Sequence, residues 1–153
     1  GQTAAQTALA FFTELNHPYW LALNEANLAE AYFYLGDLAQ AETYAERGLA
    51  REEVVVRPYC LYVLGHVRRA QGHFTAAEQF CCEAIAAGEG LQDPWALGPA
   101  WRALGQTYQD GQRPAEARDA FQQVLEIYQR LGVEQEITFT RELLRLCPSF
   151  ARS

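Results

Sequence analysis

Three segments of the chain repeat one pattern, and this repetition limits the folds open to the sequence more than any other feature. The segments read LAEAYFYLGDLAQAETYAERGL around Ala41, LGHVRRAQGHFTAAEQFCCEAI around Ala77 and LGQTYQDGQRPAEARDAFQQVL around Ala117. Successive copies are 36 and 40 residues apart. Each copy predicts a helix, a turn containing glycine and a second helix, because apolar residues recur with the helical period on either side of the turn. The chain is therefore predicted to be a stack of helical pairs, since no single pair can bury its apolar face alone.

A glycine within the first predicted helix of the third copy indicates a close approach of helices. Gly105 lies in the stretch WRALGQTY, and a glycine inside a helix costs about 0.5–1 kcal/mol relative to alanine. A helix that keeps such a residue usually needs the space that the missing side chain leaves. We expect the small residue of each first helix to face an alanine of the second helix, which pairs Ala29 with Ala41, Gly65 with Ala77 and Gly105 with Ala117.

The third copy also combines six residue types at a distinctive spacing: Trp101, Leu104, Gly105, Tyr108, Ala117 and Phe121. These residues at this spacing resemble the pattern of the tetratricopeptide repeat family. The other two copies keep the spacing but depart from the pattern of residue types. The first copy departs at Glu25, Ala29 and Ala45. The second copy departs at Leu61, Arg68 and Cys81. The resemblance implies an all-α fold, a right-handed α-α superhelix (a solenoid) of about eight antiparallel-stacked helices.

We expect one solenoid over residues 1–153, with repeats at 20–52, 56–90 and 95–131. The segment 3–15 aligns with the second helix of a repeat. We expect it to be the second helix of a truncated repeat. The segment 134–147 is predicted to be a capping helix whose exposed side carries Glu134, Glu136, Arg141, Glu142 and Arg145. An opening glycine and the lack of methionine indicate an excised segment of a larger protein. The separate helices are predicted near 3–15, 20–35, 38–50, 56–71, 74–88, 95–110, 114–131 and 134–147.

Charge and hydropathy narrow the set of partners. The formal net charge is −7 and the pI is near 4.9, which disfavours both nucleic acid and anionic membranes because each binds basic surfaces. No apolar run of about 20 residues occurs, and the first residues lack the pattern of a secretory signal. We therefore expect a cytoplasmic protein that binds neither nucleic acid nor membranes.

The side chains that most enzymes need are missing or scattered. The chain has no lysine, and its serines are Ser149 and Ser153 alone, which excludes a P-loop lysine and a serine nucleophile in the repeats. The four cysteines form no C-x-x-C pair, and the three histidines lie in different elements. We interpret Cys81 as a small core residue at the place of the aromatic residue in the repeat pattern. The sequence predicts no enzyme, no metal site and no cofactor.

The resemblance implies that the first helices of successive repeats line a groove that holds a peptide or another ligand. Arg69 and Arg102 are expected to form its cationic spot, suited to a carboxylate or phosphate. An alternative is that these side chains are solvated and that the arginines pair with nearby carboxylates. Helical phase places nine residues in this groove: Asn27, Glu30, Tyr34, Tyr62, His66, Arg69, Arg102, Gln106 and Gln109.

Two functional hypotheses follow. The first is a non-catalytic scaffold that binds a protein or peptide, including one with an acidic group. The second, based on analogy of fold and on the stretch YQRLG at residues 128–132, is the effector-sensing or self-assembly arm of a bacterial signalling ATPase or transcription regulator. Self-association through the ends of the solenoid is a further hypothesis about partners.

Overall fold

The computed structural model describes the backbone of residues 2–15 and 17–147 and the side chains of residues 3–8, 10 and 17–147. Within this part of the chain all regular structure is helical, which confirms the all-α prediction. The helices are α1 (Gln2–Leu15), α2 (Pro18–Tyr34), α3 (Leu38–Ala50), α4 (Arg57–Ala70), α5 (Phe74–Leu91), α6 (Pro94–Asp110), α7 (Pro114–Leu131) and α8 (Glu134–Leu146).

Local chemistry explains where the helices begin and end. Pro18, Pro94 and Pro114 each occupy the first helical position, where the missing N–H has no intrahelical partner to lose. The Asp93 carboxylate accepts a hydrogen bond from the backbone N–H of Trp95, at 3.0 Å, and so caps α6. The helix α5 extends to Leu91, beyond the expected end at 88, and stops where the next residue adopts a left-handed conformation.

Residues with left-handed backbone occur at equivalent places in the repeats. The turn inside each of the three complete helical pairs contains one, and so does the end of the second helix of each of these pairs. Glycine occupies half of these positions, and a longer side chain occupies the others, where it costs about 1–2 kcal/mol. The residues are Gly36, Gly72 and Gln112 inside the pairs, and Glu52, Gln92 and Gly132 after the second helices.

Each helix packs against the next one along the chain, and the first helices of neighbouring repeats also pack together, α2 against α4 and α4 against α6. The Cα atoms of α6 and α8 stay more than 8 Å apart in the described residues. The main hydrophobic core runs from α2 to α6 through Leu61, Leu64 and Leu104. This order places α2, α4 and α6 side by side on one face of the stack.

The glycines of the first helices accommodate a nearer neighbour than the one expected. A Cβ atom at Gly105 would lie 2.5 Å from Cε1 of Phe121, and one at Gly65 would lie 2.6 Å from Sγ of Cys81. The nearest atoms belong to the residue one turn beyond Ala117 or Ala77, and at Gly65 the backbone carbonyl oxygen of Ala77 also lies 3.5 Å from the Cβ position, as the predicted approach of that alanine requires.

Candidate functional site

The nine predicted site residues lie on α2, α4 and α6, whose common surface we call the candidate face. Each of the three helices contributes three of them. The structure gathers six into one cluster and leaves Asn27 exposed and Gln106 and Gln109 partly exposed outside it. The clustered residues are Glu30, Tyr34, Tyr62, His66, Arg69 and Arg102.

His66 forms the buried centre of the cluster. Its ring stacks on Phe33 with centroids 4.9 Å apart and meets the edge of Tyr62 at 6.2 Å. Burial, aided by the nearby charges of Arg69 and Arg102, lowers the pKa of His66 to about 3. The imidazole is thus neutral at physiological pH, and its Nδ1 can accept a hydrogen bond from Nη2 of Arg69, 2.9 Å away. His66 and Tyr62 are buried, so they lie beneath the exposed surface of the candidate face and pack against its other side chains.

Arg69 joins the end of α4 to the end of α6. Its Nη1 donates a hydrogen bond to the Asp110 carboxylate at 3.1 Å, while Nη2 contacts His66. Two contacts from different helices hold the guanidinium in one orientation. Its Nε is buried and has no hydrogen-bond partner within the described part of the chain.

Arg102 bridges the gap between α6 and α8. It forms an ion pair with Glu136, and its guanidinium carbon lies 5.5 Å from the ring centroid of Tyr128 and 5.1 Å from that of Phe139. Cation–π contacts of this kind favour arginine, whose flat guanidinium stacks well on rings. As at Arg69, Nε is buried without a hydrogen-bond partner among the residues described.

The carboxylates of the face outnumber its cations. Glu30 lies close to Tyr62. Burial raises the pKa of the Glu30 carboxyl group, and a hydrogen bond with the Tyr62 side chain reduces this rise. Together with Asp110 and Glu136, Glu30 gives three acidic groups beside two arginines. The structure thus shows each arginine already paired, as in the alternative interpretation, rather than as an open cationic spot.

Three members of the cluster are not among the site residues that the sequence predicts: Asp110, Glu136 and Phe139. Asp110 is the last residue of α6, where helical phase is a weak guide. The sequence predicts Glu136 on the exposed side of a capping helix, but the structure pairs it with Arg102. Phe139 is an exposed aromatic residue of that same helix, and only the packing of α8 brings it to the face.

The described residues outside this face include neither a reactive buried thiol nor a cluster of metal ligands. Burial raises the pKa of the Cys60 and Cys81 thiols to about 12, which disfavours the reactive thiolate. No three of the described histidine, cysteine and acidic side chains are close enough to hold a metal ion. None of the described helices is long and apolar enough to cross a bilayer.

Two family models described as tetratricopeptide repeat match this chain, one over residues 26–57 and the other over residues 57–130. Together they span more than half of the sequence and include every residue of the candidate face on α2, α4 and α6. No curated protein matches the chain.

Proposed function

Because the chain belongs to the tetratricopeptide repeat family, we propose that it is a non-catalytic scaffold that binds a segment of a partner protein on the candidate face. Repeats of this family generally mediate binding between proteins. The observation that carries the proposal is the pair of ordered arginines between exposed aromatic side chains. Tyr34 is 68% exposed and Phe139 is 47% exposed, so a partner can reach both rings.

The two arginines act on a common region of the face. Both influence the ionisation of His66 and of the Tyr34 hydroxyl, so their charges lie close to the same groups. Their contacts with His66, Tyr128 and Phe139 fix the guanidinium planes before any ligand arrives. Binding then costs less conformational entropy of these arginine side chains than it would if they were mobile.

An acidic group of the partner is proposed to bind by replacing an internal carboxylate. The side chains of Asp110 and Glu136 are 45% and 35% exposed, whereas those of Arg69 and Arg102 are only 18% and 17% exposed. The carboxylates can therefore turn into solvent while the arginines stay in place. The Arg69–Asp110 contact is exposed, and an exposed ion pair is worth only about 0–1 kcal/mol, so a well-placed carboxylate of a partner can compete with Asp110.

The test uses peptides selected for binding from a random display library and then synthesised in pairs that differ by a Glu→Gln exchange. Asp110→Asn and Glu136→Gln remove the internal competitors, so each should tighten binding of the acidic peptide by about threefold to tenfold, the equivalent of one weak ion pair. Fluorescence anisotropy measures both peptides of each pair.

Glu46→Gln on α3 is the matched control, because Glu46 is exposed and lies outside the candidate face. This variant should bind as the wild type does. Equal affinity of the acidic and neutral peptides for all four proteins would contradict the proposed role of the arginines.

The alternative function is the effector-sensing or self-assembly arm of a bacterial signalling ATPase or transcription regulator. One observation favours an effector: a cleft of about 450 Å³ lies between α5 and α7, within the range of about 300–1,000 Å³ typical of small-molecule sites.

A further inference from the structure

A cleft lies over α6 on a different side of that helix from Arg102, Gln106 and Gln109. The helices α5 and α7 both pack against α6 but do not meet each other in the described structure, and this leaves a space of about 450 Å³ between them. Apolar side chains of all three helices form its floor: Ile85, Ala86, Trp101, Leu104, Tyr108 and Ala120.

The cleft is open because one repeat lacks an aromatic residue that the others possess. In the first repeat Tyr44 stacks on Tyr32 with ring centroids 5.6 Å apart. The equivalent pair of the second repeat places the ring of Phe80 5.9 Å from the guanidinium carbon of Arg68. In the third repeat the residue at the corresponding place is Ala120. Tyr108 packs against the cluster around Ala117 and Phe121, but no aromatic side chain at the Ala120 place lies over it as Tyr44 and Phe80 lie over their partners.

The remaining contacts of Tyr108 fix its ring beside the cleft. Its hydroxyl donates a hydrogen bond to the Glu78 carboxylate at 2.8 Å, and the Arg113 guanidinium carbon lies 4.5 Å from the ring centroid. Arg113 in turn donates hydrogen bonds to Glu78 and to Glu116 at 2.9 and 2.6 Å. Arg113 thus covers one side of the ring, and the rest of the fixed Tyr108 side chain contributes to the wall of the cleft.

Acidic side chains surround the apolar floor. Glu89, Glu116 and Asp119 line the cleft, and Glu116 is already paired with Arg113. Glu89 and Asp119 have no ion-pair partner within the part of the chain that is described. Trp101 adds the aromatic face that attracts cations most strongly. The cleft thus combines an apolar floor, two aromatic rings and unpaired negative charge.

We infer that this cleft binds a small organic cation with an aromatic ring. The ring takes the space that Tyr44 and Phe80 fill in the other repeats, and the cationic group lies near Glu89 and Asp119. Charge complementarity and the missing aromatic side chain together select this ligand class. The site is separate from the candidate face and does not depend on the peptide-binding proposal.

Three small probes separate the contributions to binding: phenethylammonium, hexylammonium and 3-phenylpropionate. Phenethylammonium carries both features, whereas hexylammonium lacks the ring and 3-phenylpropionate reverses the charge. Phenethylammonium should bind about tenfold more tightly than either, the change expected from loss of one stacking or charge contact. Calorimetric titration of the 153-residue chain measures the three affinities.

Cys82 supplies an independent readout, because this exposed thiol lines the cleft while the other three cysteines are buried. Bound phenethylammonium should slow alkylation of Cys82 by iodoacetamide. Equal affinity for all three probes, or unchanged alkylation at saturation, would overturn the inference.

Two variants locate the site. Ala120→Phe restores the aromatic residue of the other repeats and should abolish binding of phenethylammonium, with Gln122→Phe on the exposed side of α7 as the matched control. Asp119→Asn should weaken binding of phenethylammonium by several-fold. It should not weaken binding of 3-phenylpropionate, because that probe is an anion. If Ala120→Phe fails to fold, Asp119→Asn decides, and its unchanged affinity for phenethylammonium would overturn the inference.

A second copy of the chain is the other occupant to consider. In that case sedimentation shows dimers that form with rising protein concentration, and Cys82 is protected in them without any probe. This outcome would overturn the assignment of a small cation. A monomer whose Cys82 is alkylated at a rate independent of protein concentration supports it.

Discussion

Gly105 illustrates how the absence of one side chain sets the spacing of two helices. In Gly105→Ala the new Cβ would meet the ring of Phe121, which is fully buried and has little room to move. We expect the free energy of unfolding to fall by about 1–3 kcal/mol through overpacking. Chemical denaturation monitored by circular dichroism measures the change.

The control for this prediction is Gly90→Ala in α5, where nothing lies within 4 Å of a new Cβ. Here the higher helix propensity of alanine should raise stability by about 0.5–1 kcal/mol. Changes of the same sign and size in both variants would show that the ring of Phe121 moves freely.

The buried His66 makes stability depend on pH. Its pKa is about 3 in the folded protein, against an ordinary value of 6.5. Between these values the unfolded chain binds a proton that the folded chain does not, so stability falls as the pH falls through this window. The contribution reaches about 1.4 kcal/mol per pH unit.

His66→Gln keeps an acceptor for Arg69 but removes the titrating group, so its free energy of unfolding should fall less steeply below pH 6.5. Urea titrations across this range compare it with the wild type and with His73→Gln, whose imidazole is exposed. The same steepness in all three proteins would mean that His66 does not titrate as a buried group.

At the scale of helices, Arg102 connects α6 with α8. Because α6 and α8 do not touch through their backbones, this side chain spans the gap by pairing with Glu136 and stacking beside Phe139. Arg102→Lys keeps the charge but loses the flat group, so we expect α8 to lose about 1 kcal/mol of local stability. Hydrogen exchange of the α8 amides should then quicken while that of α4 stays unchanged.

Arg141→Lys on the exposed side of α8 is the matched control and should leave exchange as it is in the wild type. If neither substitution alters exchange in α8, its packing on α7 is sufficient to hold it in place.

At the scale of the whole molecule, the hydrophobic core is divided. The main cluster joins α2 to α6, and smaller clusters around Phe121 and around Val124 join α7 to α8. Trp101 and Tyr108 of α6 pack against the main cluster and each against one of the smaller ones. Stacked repeats of this kind contact only their neighbours, so parts of the array can open on their own. We expect Ile137→Ala, which removes a buried side chain of α8, to cost about 2–4 kcal/mol locally.

Hydrogen exchange in Ile137→Ala should quicken in α7 and α8 and remain slow in α4. Leu64→Ala in the main cluster is the comparison, and it should quicken exchange throughout α2 to α6. Faster exchange of α4 in both variants would indicate one cooperative unit instead.

Periodicity alone determined the helical pairs and their order. The predicted segments 38–50 and 114–131 coincide with α3 and α7, because the small and apolar residues that define them recur at fixed intervals within each copy. The family followed from the third copy, where the residues from Trp101 to Phe121 keep the full pattern. Such features depend on neighbours along the chain, so a single sequence contains them.

Only the tertiary structure decided the state of the candidate face and the existence of the cleft. The partner of Arg102 is Glu136 on a helix outside the repeats, and Arg69 is held by Asp110 of the next repeat. Likewise, Ala120 leaves a cleft only because α5 and α7 lie apart over α6. Helical phase shows which way a side chain points from its own helix. What meets it there depends on how separate helices stack, and packing between residues distant in sequence sets that arrangement.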